Sequence, residues 1–212
     1  MDISLIETLR FEPESGFVRL ERHLARLARS AETLGLPGAH AAKAHLTDAV
    51  QTAALHPSAH PTRLRVRLEL FADGRIEVKT APFAPLPADT RWRLRIASVR
   101  LNSADPLLCH KTSHRAAYEA ARAEFSLAEA DEVLLLNERG ELCEGTITSL
   151  FLDDGSGILK TPPLSCGLLA GILREELIET HRAVEQRLTV DDLARETLFV
   201  GNSLRGLVRA FL

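Results

Sequence analysis

The spacing of apolar side chains changes along the first part of the chain, from the period of a helix to that of a strand. Residues 20–35 (LERHLARLARSAETLG) place leucine and alanine three and four positions apart, which predicts an amphipathic helix. A second, alanine-rich helix is predicted over 39–55. Residues 63–71 (RLRVRLELF) alternate apolar and polar side chains, and RIEVKT repeats that alternation after Asp73-Gly74. These segments predict a β-hairpin with one face in water, so the fold combines helices with antiparallel strands.

Three prolines in eight residues interrupt the pattern at 82–89 (PFAPLPAD). Proline cannot donate a backbone hydrogen bond and disrupts helices and central strands, so this segment is predicted to be a linker. The 212 residues suffice for one large domain or two small ones. We therefore predict a small α+β domain over 1–83, a linker over 84–89 and a larger α+β domain over 90–212.

The second half of the chain predicts more strands, with helices between runs of them. A strand opens at Trp92, and DEVLLLN (131–137) is a continuous apolar run typical of a strand buried on both faces. Helices are predicted over 113–126 and 171–181. The strands predicted to close the chain lie near 183–188, 197–201 and 206–211. Because strands and helices do not alternate strictly, the pattern favours an α+β fold over a doubly wound sheet.

Charge and composition exclude several classes of protein. With 26 basic and 29 acidic residues the formal net charge is −3, so the chain has no basic field for nucleic acid or an anionic membrane. No segment approaches the roughly 18 uninterrupted apolar residues of a membrane helix, and the N-terminus does not resemble a signal peptide. Cys109, Cys143 and Cys166 form no metal-binding pattern, and we expect buried, reduced thiols in a cytoplasmic protein.

Few of the basic residues are lysines, which limits the candidates for an amine nucleophile to Lys43, Lys79, Lys111 and Lys160. Lys111 differs from the others because it follows a loop, SADPLLCH, and directly precedes the predicted helix start TSHRAAY. A lysine at such a junction is more often an ordinary surface residue. Its position alone therefore does not assign it a role.

A carboxylate and three candidate anion-binding positions accompany this lysine. Glu144 lies in the otherwise apolar stretch LCEGTITSLF, where a carboxylate is costly unless it faces water or a cation. Gly171 lies at the start of a predicted helix whose N-terminal amides can bind an anion, and Ser203 follows the end of a predicted strand. Arg26 either offers its guanidinium to a phosphate or is a solvated helix residue. An amine, an acid and a phosphate site are together what pyridoxal phosphate requires.

The order of these residues resembles the class IV aminotransferases, the pyridoxal-phosphate enzymes of fold type IV. The resemblance covers nearly the whole chain, through IETLR, LERHLARLARSAETLG, HKTSHRAAYEAA, DEVLLLNERGELCEGTITSLF, TPPLSCGLLAGILREEL and NSLRGLVRA. It implies a two-domain α+β fold like that of D-amino-acid aminotransferase, with a pseudo-barrel as the larger domain and the cofactor in the interdomain cleft. Within the family the chain is most similar to 4-amino-4-deoxychorismate lyases, through LIETLR, SADPLLCHKTSHRAAY and NSLRG.

The resemblance also implies a role for each candidate residue. Lys111 is the Schiff-base lysine and proton shuttle, and Glu144 keeps the pyridine nitrogen of the cofactor protonated. Arg115 and Arg205 are candidates for binding substrate carboxylates. The groups implied to hold the phosphate are the Arg26 side chain, the backbone N–H groups of Ile172 and Leu173, and the Ser203 hydroxyl. No metal is expected.

The chain departs from the family pattern in three places. Ser149 stands where asparagine is common. Ala116 stands five residues after the lysine, where many members have a tyrosine near the cofactor hydroxyl, and Tyr118 is nearby instead. Many members also have a longer segment before the ETLR block. We expect its absence to remove strands from the small domain, or a partner chain to complete the site.

The leading hypothesis is a cytoplasmic pyridoxal-phosphate lyase that converts 4-amino-4-deoxychorismate to 4-aminobenzoate and pyruvate in folate biosynthesis. The shared residues fit an aminotransferase acting on a branched-chain or D-amino acid equally well. A third hypothesis is a protein that binds the cofactor without catalysis. The family implies a homodimer, and the lyase hypothesis adds an aminodeoxychorismate synthase as a candidate partner.

Overall fold

The computed structural model describes residues 3–55 and 63–212, which fold into two compact units. Unit 1 comprises Met1–Pro85 with Lys111–His114, and unit 2 comprises Leu86–His110 with Arg115–Leu212. The first boundary falls inside the proline-rich segment 84–89, and the predicted domain 1–83 also covers the residues outside the described ranges. No sequence pattern predicts the return of the chain to unit 1 at Lys111.

Unit 1 is a four-stranded antiparallel sheet with two helices against it. Along the chain its elements are β1 (Leu5–Glu12), β2 (Gly16–Phe17), α1 (Leu20–Leu34), α2 (Ala42–Ala54), β3 (Leu64–Leu70) and β4 (Ile76–Pro82). The strand order is β2-β1-β3-β4, with α1 packed on β1 and α2 packed on β3 and β4. The helices and the β3–β4 hairpin are those that the periodicity predicts. Strands β1 and β2 were not predicted, because neighbouring side chains of β1 are buried together and the alternation is lost.

The core of unit 1 lies between the sheet and the inner faces of the two helices. Its buried side chains include Leu5, Leu9, Leu27, Ala31, Leu46, Val50, Val66, Leu68 and Leu70. The buried face of α1 includes the predicted Leu27 and Ala31, but it is wider than its leucines predict and extends to polar residues. Ala28 is exposed and Leu24 is half-buried, whereas His23 and Arg26 are buried. Two polar side chains therefore need partners inside the unit.

Unit 2 contains an eight-stranded sheet, part of which closes on itself. Its elements are β5 (Arg91–Leu101), α3 (Ala116–Ala123), β6 (Glu132–Asn137), β7 (Leu142–Gly145), β8 (Ser149–Asp153), β9 (Leu159–Thr161), α4 (Ile172–Glu179), β10 (Ala183–Glu185), α5 (Val190–Leu193), β11 (Thr197–Asn202) and β12 (Gly206–Phe211). The strand order is β10-β9-β8-β11-β12-β5-β6-β7, and β7 also pairs with β8. The strands from β8 through β11, β12, β5 and β6 to β7 thus form a closed ring.

The predicted elements of unit 2 are present with shifted ends. Every residue of β6 is buried, as the run DEVLLLN predicts. Helices α3 and α4 are shorter than the predicted 113–126 and 171–181, and the strand expected near 183–188 ends at Glu185. Helix α5 was not predicted, although Thr189 begins it with a capping box. The α+β class is confirmed.

The cysteines are free thiols, but they differ in exposure. Cys143 and Cys166 are buried, as expected. The expectation is wrong for Cys109, which is half-buried because it lies in a short surface 3₁₀ turn, Pro106–Cys109. Across residues 3–55 and 63–212, no helix combines the length and the apolar composition needed to cross a membrane.

Candidate active site

A buried carboxylate in unit 1 joins β1 to α1. Glu7 lies on the same side of β1 as Leu5 and Leu9, and its residue is 3% exposed. Arg26 binds both carboxylate oxygens, with Nε donating to Oε1 at 2.9 Å and Nη2 donating to Oε2 at 2.7 Å. His23 Nδ1 lies 2.6 Å from the same Oε2. The helix face predicted to hold His23 and Arg26 together is therefore turned onto Glu7.

These partners determine the charge of Glu7. Burial by itself raises the pKa of a carboxyl, but the Arg26 guanidinium and the hydrogen bonds from His23 and Arg26 lower the pKa of Glu7 to about 2. Removing one partner of a buried ion pair lowers the free energy of unfolding by about 3–5 kcal/mol, because the remaining charge is left unpaired. The two bonds to Glu7 hold the Arg26 guanidinium in one orientation, as a fixed phosphate ligand requires.

Lys111 is held beside β1 by backbone hydrogen bonds. Its carbonyl accepts a bond from the Ile6 N–H at 2.8 Å, and the Ser113 N–H donates to the Ser4 carbonyl at 2.9 Å. Leu5 and Thr112 form an antiparallel bridge. Strand β1 therefore binds the backbone of Lys111 at Ile6, next to the carboxylate that binds Arg26. The Lys111 residue is half-buried.

Glu144 of unit 2 lies where the ring of strands closes. It pairs with Ser149 across β7 and β8 and is 4% exposed. Its Oε1 accepts a hydrogen bond from the Tyr118 hydroxyl at 2.7 Å and another from the Leu169 N–H at 3.0 Å. Bonds donated to a carboxylate favour its ionised form. A buried carboxylate that accepts such bonds is a suitable partner for a protonated pyridine nitrogen.

Tyr118 and Arg115 are stacked beside this carboxylate. Burial, the charge of Glu144 and the hydrogen bond to it raise the pKa of Tyr118 far above its ordinary value, so its hydroxyl remains a neutral donor. The Arg115 guanidinium lies 4.8 Å from the centre of the Tyr118 ring, and its Nη2 donates to the Thr146 carbonyl at 2.5 Å. Ala116, at the position where the family has its tyrosine, is exposed.

A second buried carboxylate shapes the β7–β8 turn, Thr146–Thr148. Glu132 is 1% exposed. Its Oε1 accepts bonds from the Thr146 N–H at 3.0 Å and the Thr146 hydroxyl at 2.5 Å. Its Oε2 accepts bonds from the Ile147 N–H at 3.1 Å and the Thr148 hydroxyl at 2.9 Å. One carboxylate thus fixes the conformation of the whole turn.

The start of α4 has the properties of an anion-binding site. Among the described residues no side chain caps Gly171, the residue before the helix. The first N–H groups of a helix, here those of Ile172 and Leu173, have no acceptor within the helix and attract an anion. A Cβ atom at Gly171 would lie 2.6 Å from the Ser149 Oγ. The serine that replaces the family's asparagine therefore packs against this helix end.

The end of β11 lies against the same helix. Gly201 pairs with Ser149 of β8, and a Cβ atom on Gly201 would lie 2.9 Å from the Leu173 Cδ2. Ser203 follows in the β11–β12 turn and is 6% exposed. The three groups of unit 2 predicted to hold the phosphate are thus on neighbouring segments: the N–H groups of Ile172 and Leu173, and the Ser203 hydroxyl.

Both predicted substrate arginines connect to the β7–β8 turn. The Arg115 guanidinium donates directly to the Thr146 carbonyl of this turn. Asn202 donates from Nδ2 to the Ile147 carbonyl at 3.1 Å, and its Oδ1 accepts a hydrogen bond from the backbone N–H of Arg205 at 2.9 Å. The Arg205 guanidinium lies 5.7 Å from the centre of the Trp92 ring. The turn therefore fixes the segments that carry both guanidinium groups.

The predicted residues form one set in each unit. In unit 1, Lys111 and Arg26 are both attached to β1. The set in unit 2 consists of Arg115, Glu144, Ile172, Leu173, Ser203 and Arg205. Glu7 and Glu132 were missed, and their only signal is a lone acid on a buried strand. Their partners are distant in sequence. The amine, the uncapped helix end and the buried carboxylate fit the chemistry of pyridoxal phosphate.

Comparison with known proteins identifies relatives of both reaction types. A crystal structure of a "putative amino-acid aminotransferase" from Mesorhizobium loti superposes with a TM-score of 0.91 at 48% identity, over 99% of each chain. A "putative aminodeoxychorismate lyase" of Schizosaccharomyces pombe is 30% identical over 99% of this chain and 89% of its own length. A "probable branched-chain-amino-acid aminotransferase" of Thermotoga maritima is 31% identical over 86% of this chain, and the match spans 64% of its own length.

The family model for class IV amino-transferases matches residues 4–210. The structural neighbours are fold type IV enzymes, which confirms the fold inferred from the sequence. Members of the family depend on pyridoxal phosphate, which confirms the expected cofactor. The chain belongs to the class IV aminotransferase family of pyridoxal-phosphate enzymes.

Proposed function

We propose that this protein is a lyase that converts 4-amino-4-deoxychorismate to 4-aminobenzoate and pyruvate. The two products together contain all the atoms of the substrate, so the reaction needs no second substrate. The family makes the protein an enzyme, but it includes relatives named as lyases and relatives named as aminotransferases. The choice between these reactions rests on how the substrate would be bound.

The observation that carries the proposal is the connection of two arginines to one turn. Arg115 bonds to the β7–β8 turn directly, and Arg205 is connected to it through Asn202. The proposed substrate has two carboxylates, one on its ring and one on its enolpyruvyl group, whereas a branched-chain amino acid has one. The turn holds the Arg115 guanidinium and, through Asn202, the backbone N–H of Arg205. Two arginines attached to one turn would match two carboxylates on one rigid substrate. The S. pombe relative, matched over 89% of its length, supports the same choice.

Different residues of this chain would have different roles in this reaction. Bound pyridoxal phosphate supplies a conjugated ring that accepts electrons from the carbon bearing the substrate amine. Lys111 Nζ takes the proton from that carbon, and Glu144 keeps the pyridine nitrogen charged. The phosphate is held by Arg26, Ile172, Leu173 and Ser203. The enolpyruvyl group would then leave with the electrons of its C–O bond to the ring and gain one proton to become pyruvate. The ring that remains is aromatic, and its stability drives the reaction.

An aminotransferase is the second candidate. The M. loti structure named as an amino-acid aminotransferase is 48% identical over 99% of each chain, which favours this alternative. The reaction would use the same lysine, acid and phosphate groups, so these residues do not distinguish it from the lyase. It differs in needing a 2-oxo acid to accept the amine.

Incubation of the cofactor-loaded protein with 4-amino-4-deoxychorismate tests the proposal. We expect equal amounts of 4-aminobenzoate and pyruvate without any added 2-oxo acid. Lys111→Ala should abolish both products and the cofactor adduct trapped by borohydride. Lys43→Ala is the control, because this exposed lysine pairs with Glu21 on the surface, and it should retain both. No product from this substrate, together with amine transfer from an amino acid to a 2-oxo acid, would favour the aminotransferase.

A further inference from the structure

We infer that Tyr118 is a positioning residue that fixes the Glu144 carboxylate for its contact with the pyridine nitrogen of the cofactor. The inference rests on the proposed role of Glu144, and it holds for a lyase and an aminotransferase alike. It assigns a function to a tyrosine at a position where the family pattern does not place one. The assignment begins from the two donors that meet on a single oxygen atom of Glu144.

Two hydrogen bonds to Oε1 restrict the rotation of the Glu144 carboxylate. One comes from the Tyr118 hydroxyl on α3 at 2.7 Å and the other from the backbone N–H of Leu169 at 3.0 Å. The Leu169 donor belongs to the main chain before α4, so it cannot be removed by changing a side chain. Tyr118 is thus a side-chain anchor of this carboxylate. Its hydroxyl both orients the group and favours its ionised form.

Arg115 in turn holds the Tyr118 ring. Its guanidinium lies over the ring at 4.8 Å from the centroid and is bonded to the carbonyl of Thr146. Tyr118 also belongs to an apolar cluster that includes Ala121 and Val133. Arg115 is a candidate for binding substrate. Tyr118 therefore contacts both this candidate and Glu144, the acid proposed to keep the pyridine nitrogen protonated.

The competing explanation is that Tyr118 only fills space in that cluster. Tyr118→Phe separates the two explanations, because phenylalanine keeps the ring, its packing and its contact with Arg115. The substitution removes one hydroxyl and keeps the bond from the Leu169 N–H to Glu144. A packing residue would show little change in the cofactor site, whereas an anchor of Glu144 would weaken the contact with the pyridine nitrogen.

A double-mutant cycle measured by cofactor affinity tests the inference. Pyridoxal phosphate is titrated into the wild type, Tyr118→Phe, Glu144→Gln and the double variant, with circular dichroism as a check of folding. We expect Tyr118→Phe to weaken affinity about tenfold, as expected when a hydrogen bond to a charged group is lost. In the Glu144→Gln background the same substitution should change affinity less than about twofold. Equal changes in both backgrounds would overturn the inference.

A matched control removes a different buried hydroxyl of unit 2. The Thr161 hydroxyl donates to the Leu150 carbonyl at 2.8 Å, so Thr161→Val loses a buried bond to a neutral acceptor. Thr161→Val should leave cofactor affinity within about twofold of the wild type. If Glu144→Gln alone has no effect on affinity or turnover, the role of Glu144 itself is wrong. If Glu144→Gln weakens affinity and Tyr118→Phe does not, only the role of Tyr118 is wrong.

Discussion

Arg26 differs from the other arginines of α1 in its surroundings. It is 5% exposed and binds both oxygens of Glu7, whereas Arg22 is half-buried and Arg29 is exposed. The leucine spacing of the helix does not distinguish the three residues. The resemblance to the family selected Arg26 for the phosphate. The reason for its burial is a carboxylate on β1, 19 residues away in sequence, which no local pattern reports.

Arg26→Ala should therefore have two effects. The free energy of unfolding should fall by about 3–5 kcal/mol, because Glu7 keeps a buried charge without its guanidinium partner. Affinity for pyridoxal phosphate should fall about 10- to 150-fold, the effect of losing a charge-assisted contact to phosphate. Both are measurable on the same samples, by urea unfolding and by cofactor titration.

Two further substitutions make this prediction specific. Arg26→Lys should restore part of the affinity and not all of it, because an ammonium cannot bind Glu7 and phosphate with the geometry of the guanidinium fork. Arg29→Ala removes an exposed arginine of the same helix and should change neither quantity measurably. If Arg26→Ala and Arg29→Ala behaved alike, Arg26 would have no part in binding the phosphate.

At the scale of secondary structure, local pattern predicted most elements and tertiary contact determined the rest. Helix α1, the β3–β4 hairpin and the buried strand β6 follow directly from their periodicity. Strand β1 carries the site of unit 1 but has no clear period, because Ile6 and Glu7 are buried in succession. Its buried polar residue is compensated by side chains from another element, and such pairing cannot be read from one segment.

The contact between β11 and α4 provides a prediction at this scale. A Cβ atom at Gly201 would lie 2.7 Å from the Gly206 carbonyl oxygen and 2.9 Å from the Leu173 Cδ2. Gly201→Ala should cost about 1–3 kcal/mol of stability through overpacking. It should also weaken cofactor binding, because Leu173 lies in the first turn of the helix that is proposed to hold the phosphate. Urea unfolding and cofactor titration measure the two effects.

Gly171 is the matched control for Gly201. A Cβ atom there meets the Ser149 Oγ at 2.6 Å, but a serine hydroxyl can rotate away whereas a backbone carbonyl cannot. Gly171→Ala should therefore destabilise the protein less than Gly201→Ala does. A larger loss of stability for Gly171→Ala would show that the rotamer of Ser149 is fixed by its neighbours.

On the scale of the whole molecule, each unit contains some of the residues that are proposed to bind the cofactor. The chain leaves unit 1 after Pro85 and returns to it for Lys111–His114, so Lys111 is bonded to β1 rather than to the unit that surrounds it in sequence. The order of motifs selected Lys111 as the predicted Schiff-base lysine but contained no information on which sheet it joins. That assignment depends on backbone pairing between segments distant in sequence, which side-chain periodicity does not encode.

The pH dependence of stability is a prediction for the whole molecule. The pKa of Glu7 is lowered from 4.5 to about 2, so its ionised form contributes stability that is fully present above pH 4.5 and is lost as the pH falls toward 2. At about 1.4 kcal/mol per pH unit this contribution is about 3 kcal/mol. Glu7→Gln should lower the free energy of unfolding at neutral pH and flatten its decline in acid. Urea unfolding, followed by circular dichroism over this pH range, measures how the free energy of unfolding of the wild type and of Glu7→Gln depends on pH. The lowered pKa values of Glu138, Glu141 and Asp154 are common to both proteins and cancel in the difference between their curves. Parallel curves would therefore show that Glu7 does not titrate as the structure predicts.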